Sequence, residues 1–104
     1  MLRESLWQHA MAYLDGKQAE MFQLLKNIVE IETPSSDKNA INRLASHIDT
    51  YCDAMGLACR KEHYPDAGDS LTARTRGEGK QRPVALLGHM DTVHPAGSWS
   101  EVFR

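Results

Sequence analysis

The chain predicts an α/β fold with helices packed on a mixed β-sheet. Three features of its pattern predict this. Apolar residues recur at three- and four-residue steps as far as about position 55, the period drops to two from Leu57, and an unbroken apolar run, Val84-Ala85-Leu86-Leu87, comes last. Such a continuous run suits a strand covered on both faces. With 104 residues, 41% apolar and 25% charged, the chain can supply at most one domain with a modest core, and it is too apolar to be largely disordered.

Each element has its own justification. Leu2, Leu6, Trp7, Ala10, Met11 and Leu14 mark one face of a first helix, which Asp15-Gly16 closes. A second helix should run from about Gln18 to Glu32, with Met21, Leu24, Leu25, Ile28 and Val29 as its stripe. Thr33-Pro34 ends it, because the residue before proline is pushed out of helical geometry. Ser35, Ser36 and Asp37 offer side-chain oxygens to cap a third helix from Lys38 to about Met55. Ile41, Leu44, Ala45, Ile48, Tyr51, Cys52 and Met55 face inward on it, and Gly56 is its left-handed terminator. Leu57, Cys59 and Lys61 then alternate with Ala58, Arg60 and Glu62, a strand with one wet face. Pro65-Asp66-Ala67-Gly68 turns the chain into a second strand marked by Leu71, Ala73 and Thr75. Gly77-Glu78-Gly79-Lys80 leads through Pro83 into the third strand, 84–87.

Composition excludes several functions. A formal charge of -2 gives no electrostatic case for nucleic acid, and glycines and Glu78 dilute the cluster of Arg74, Arg76, Lys80 and Arg82 into a solvated turn. No apolar stretch approaches the roughly 20 residues that cross a bilayer. The first residues lack the apolar centre of a signal peptide, so the cytoplasm is the default compartment. Cys52 and Cys59 have the spacing of neither a metal knuckle nor a redox pair, and free thiols are expected.

Of the five histidines, His9 and His47 lie in predicted helices without an acidic or cysteine partner at ligand spacing, and His63 sits near a strand end. Surface or packing roles suit them. His94, before Pro95 in the same loop as His89 and Asp91, suits either shaping of that loop or a place on a substrate rim. His89 differs, because Gly88-His89-Met90-Asp91-Thr92 follows the apolar run directly. In an extended segment His89 and Asp91 project to one side and Met90 to the other. A neutral imidazole is a common zinc ligand, and a carboxylate or carbonyl commonly holds its other ring nitrogen. Taken by spacing alone, His-x-Asp equally describes a structural histidine beside a turn-capping aspartate.

Leu86-Leu87-Gly88-His89-Met90-Asp91-Thr92-Val93, followed by Pro95-Ala96-Gly97 and Trp99, resembles the first metal-site motif of the M20 zinc metallopeptidases, in particular their glutamate carboxypeptidase branch. Leu24-Leu25-Lys26-Asn27-Ile28-Val29-Glu30-Ile31-Glu32-Thr33-Pro34-Ser35-Ser36 resembles that family's opening helix and the loop after it. The likeness runs from about residue 18, which makes residues 1–17 a helical extension.

The resemblance implies the N-terminal part of a zinc-exopeptidase-like catalytic domain. It implies His89 as a ligand to one of two zinc ions, with cobalt or manganese as alternatives, and Asp91 as the catalytic-site carboxylate that orients a histidine ligand. Small peptides or N-acyl amino acids are the implied substrates, and neither nucleic acid nor membrane is an implied partner. The family's other metal ligands and its general-base glutamate lie downstream of this motif, and Glu101 is the only acidic residue after Asp91. The chain is therefore expected to be an N-terminal fragment, inactive in isolation, whose third strand lacks neighbours. A non-catalytic interaction module that retains this subdomain is the alternative expectation.

Overall fold

All three expected helices form. The computed structural model describes residues 2–77 and 79–98, with α1 at Leu2–Asp15, α2 at Gln18–Glu30 and α3 at Lys38–Ala54. The chain divides into two units, residues 1–30 with α1 and α2, and residues 31–104 with the remaining elements. In the first unit α2 has no buried residue, and Leu6, Trp7, Met21 and Phe22 all stay more than half exposed. These helices owe their form to local pattern and to the turn at Gly16, whose N–H donates to the Ala12 carbonyl at 3.1 Å.

The second unit is built on α3. Asp37 caps it, its carboxylate accepting the Ala40 N–H at 3.0 Å, which meets one of the first-turn donors left free by helical geometry. At the other end Gly56 takes a φ of 84°. Its N–H donates to the Asp53 carbonyl at 2.9 Å and the Leu57 N–H donates to the Cys52 carbonyl at 3.1 Å, the paired closure that a left-handed residue permits. The chain then reverses into β1, Ala58–Glu62, which pairs antiparallel with β2, Ser70–Arg74. Cys59 lies opposite Ala73 and Lys61 opposite Leu71, while Arg60 and Glu62 occupy the wet positions.

One face of α3 packs on this hairpin. The buried centre is Ala40, Ile41, Leu44 and Ala45, and Lys61 ties β1 to α3 through Ser46 at 3.2 Å and Asp49 at 3.7 Å. Gly68 presses directly on the helix, since a Cβ there would stand 2.7 Å from Ile41 Cβ. The β1–β2 loop is fastened at both ends. His63 Nδ1 is 2.6 Å from Asp69 Oδ1, Asn42 accepts the Asp69 N–H at 2.8 Å, and Lys38 Nζ donates to the Tyr64 carbonyl at 2.6 Å.

Two sequence expectations need correction. The sheet is a two-stranded antiparallel hairpin and not a mixed sheet, its parallel component among the described residues being one isolated bridge between Pro34 and Thr92. The third strand is absent. Residues 84–87 pair with no described strand, and Val84, Leu86 and Leu87 are 91%, 95% and 96% exposed. A strand is completed by hydrogen bonds to a neighbour, so apolar pattern without a neighbour yields only extended chain. Cys52 and Cys59 are half-buried free thiols, and burial is the first cause that pushes the Cys59 thiol above its ordinary pKa. Among the described residues no helix is long and apolar enough to cross a membrane.

Leu44, 3% exposed at the centre of the α3–hairpin contact, carries the sharpest stability prediction. Leu44→Ala should destabilise the unit by about 2–5 kcal/mol, and Gly68→Ala by about 1–3 kcal/mol through overpacking against Ile41. Urea unfolding followed by circular dichroism measures both, and a Gly68→Ala chain as stable as the parent would contradict the close approach.

Candidate functional site

The loop that carries the histidine motif is held by the segment that follows α2. Glu32, Thr33, Pro34 and Ser35 run beside Met90–Gly97, with Pro34 and Thr92 forming the parallel bridge. The Thr92 N–H donates to the Thr33 carbonyl at 2.8 Å and the Ser35 N–H donates to the Thr92 carbonyl at 2.9 Å. Proline has no N–H to contribute, but in this register the bonds come from the residues on either side of it.

Side chains strengthen the contact. Thr33 is 3% exposed, and its hydroxyl donates to the Met90 carbonyl at 2.6 Å. The Ser35 hydroxyl donates to Asp91 Oδ2 at 2.6 Å and lies 3.0 Å from the Thr92 carbonyl. Glu32 Oε1 accepts the Gly97 N–H at 2.7 Å, in a turn where Gly97 has a φ of 89°. That conformation is open to glycine at little cost.

His89 and Asp91 are brought together by this loop. His89 Nδ1 lies 2.7 Å from the backbone carbonyl of Asp91 and 3.4 Å from Asp91 Oδ1. Because a carbonyl oxygen only accepts, Nδ1 is the nitrogen assigned the hydrogen, which leaves the lone pair of a neutral ring on Nε2. The ring itself is 82% exposed. The Ser35 hydroxyl is the main cause that holds the Asp91 carboxyl below the ordinary aspartate range. Partial desolvation opposes it, while Asp91's own backbone N–H and the neighbouring His89 assist.

A cleft of roughly 490 Å³ opens beside these residues, with Ile41, Leu71 and Met90 among its apolar lining and Asp69, His89 and Asp91 among its polar groups. Among the described residues no three His, Cys, Asp or Glu side chains gather as a metal ion would require. Three other histidines make contacts outside this pair. The His9 ring reaches the Ser5 carbonyl at 2.9 Å, His63 pairs with Asp69, and the His94 N–H donates to Thr92 Oγ1 at 3.3 Å. No protein-family model matches the chain, and no curated protein or solved structure matches it either.

Sequence reasoning named the imidazole and the carboxylate but missed what holds them. In the sequence Thr33 and Ser35 read as the end of a helix, the start of a cap and part of the loop that carries the resemblance, and none of these names the backbone they bond. Glu32 lies within the expected span of the second helix, whereas α2 ends at Glu30. The buried Asp69 carried no signal, because Gly-Asp-Ser reads as an ordinary turn.

A carboxyl whose pKa is depressed in the folded chain favours the folded form at pH above the ordinary aspartate range, and that contribution is lost as pH falls through the depressed value. Ser35→Ala removes the largest cause, so the Asp91 midpoint should rise toward the ordinary range. Carboxyl carbon shifts followed by NMR titration check this, and an unmoved midpoint would contradict the assigned role of Ser35.

Proposed function

We propose that the chain is the N-terminal part of a metal-dependent peptidase or amidohydrolase of the M20 kind, with His89 as a metal ligand and Asp91 as the carboxylate that orients it. The observation that carries the reading is the state of the His89 ring. Its Nδ1 is occupied by acceptors of residue 91 at 2.7 and 3.4 Å, leaving Nε2 with its lone pair, which is how metal-binding imidazoles are commonly oriented. The motif residues 86–93 and the Thr33–Ser35 segment bonded to them support the same reading, since both belong to the resemblance.

The described residues do not fit a complete metal site. One imidazole and one carboxylate already engaged with Ser35 leave most of the coordination of a zinc ion to water, and affinity falls with each missing ligand. No catalytic step is therefore assigned to this chain alone. In the proposed parent enzyme His89 would help hold the metal and Asp91 would orient that ring, the other ligands would come from further polypeptide, and zinc when bound would supply Lewis-acid chemistry toward the amide of a small peptide or N-acyl amino acid. Cobalt or manganese would supply the same chemistry.

A second reading is favoured by one observation. Val84, Leu86 and Leu87 are each more than nine-tenths exposed, and an apolar extended segment of that kind suits a binding module whose partner supplies the missing strand.

Calorimetric zinc titration tests the ligand assignment. The chain should bind zinc weakly, His89→Ala should abolish that binding, and neither should hydrolyse an N-acyl amino acid. Zinc binding that survives His89→Ala would overturn the ligand assignment, and hydrolysis by this chain would overturn the need for further polypeptide.

A further inference from the structure

The peptide bonds on either side of Asp91 are both anchored on one buried residue. The Met90 carbonyl accepts the Thr33 hydroxyl at 2.6 Å, and the Thr92 N–H donates to the Thr33 carbonyl at 2.8 Å. Among the described residues no peptide bond is cis. In a planar trans peptide the C=O and the N–H point in opposite directions. With the Thr92 N–H turned toward Thr33, the Asp91 carbonyl in the same plane must turn away from it, and that carbonyl is the one met by His89 Nδ1 at 2.7 Å. With the Met90 carbonyl also turned toward Thr33, the Asp91 N–H turns away as well, on the side where it favours the residue's own carboxylate.

We infer that Thr33 is a positioning residue for His89, and that it fixes the ring through the backbone carbonyl of Asp91, whereas the Ser35 hydroxyl acts on the Asp91 carboxylate and the Thr92 carbonyl. Thr33 touches neither the imidazole nor the carboxylate in any bond described above. Its hydroxyl and its carbonyl together set two successive peptide planes, so the acceptor that keeps hydrogen on Nδ1 is placed by a residue distant in sequence. Ser35 acts on the opposite oxygen, Oδ2, and leaves the Asp91 carbonyl untouched. The division of labour deepens the metal-ligand reading, because a ring with hydrogen on Nδ1 presents Nε2, but it holds whether or not a metal ever binds.

The test is the tautomer of His89, read by long-range proton–nitrogen NMR in metal-free protein at a pH well above the ordinary histidine range. Thr33→Val keeps the shape and removes the hydroxyl. It should shift the ratio of Nδ1–H to Nε2–H forms roughly fivefold toward Nε2–H, the scale of losing one net hydrogen bond. Thr33→Ser restores the hydroxyl and should restore the parent ratio, and Ser35→Ala, which frees a carboxylate whose Oδ1 stands farther from Nδ1 at 3.4 Å, should shift the ratio less than Thr33→Val does. An unchanged ratio in a folded Thr33→Val chain, with α3 and hairpin amide signals intact, overturns the proposal. Should Thr33→Val fail to fold, Thr33→Ala removes the same hydroxyl, and an unchanged ratio in that folded variant overturns the proposal equally. The readout involves no zinc, so its failure is distinct from failure of the zinc titration.

Discussion

Thr33 is a polar side chain almost wholly removed from water, and such a group is tolerated only when its hydroxyl has a partner. The partner is the carbonyl of Met90, in the middle of the histidine motif. From that one requirement the rest of the site follows. With the hydroxyl satisfied, the backbones of 33–35 and 90–92 lie close enough to exchange two N–H···O bonds around Pro34 and Thr92. The register then places Ser35 against Asp91 and Glu32 against Gly97. A short parallel contact of this kind would be weak by itself. Here it is reinforced by side-chain bonds from Glu32, Thr33 and Ser35 to a loop whose preceding residues, 84–87, pair with no described strand.

The α3–hairpin assembly provides the base for this clasp. Asp37, which caps α3, lies two residues beyond Ser35, and its own N–H donates to the Pro34 carbonyl at 2.8 Å. The helix cap and the clasp therefore share one short stretch of chain. On the far side, Gly68 against Ile41 and Asn42 against Asp69 hold the β1–β2 loop to the same helix, so the walls of the cleft and the motif loop are referred to one element. Rigid support of this sort is what a site needs if ring and carboxylate are to keep their mutual geometry.

Much of this was legible in the amino-acid pattern. Helix α3 could be read almost to the residue, because both of its signals are local: an Asp cap three residues before a donor, and a glycine free to adopt positive φ. The hairpin was legible from period-two alternation over Ala58–Glu62 and from turn residues after it. The third strand was misread for an instructive reason. Val84–Leu87 has the composition of a buried strand, but composition states a preference, and pairing is a property of the neighbour as much as of the segment. The candidate pair His89 and Asp91 was legible as chemistry. Its anchoring was not, since nothing in Thr33-Pro34-Ser35 indicates which distant backbone will accept its bonds.

The account stands on the parallel contact between residues 33–35 and 90–92, and amide hydrogen exchange measures that contact most directly. The N–H groups of Ser35 and Thr92 should exchange together and much more slowly than those of the unpaired residues 84–87. Exchange of Ser35 and Thr92 as fast as that reference would mean that the motif loop is not held by this segment, and the placement of His89 argued from it would fall.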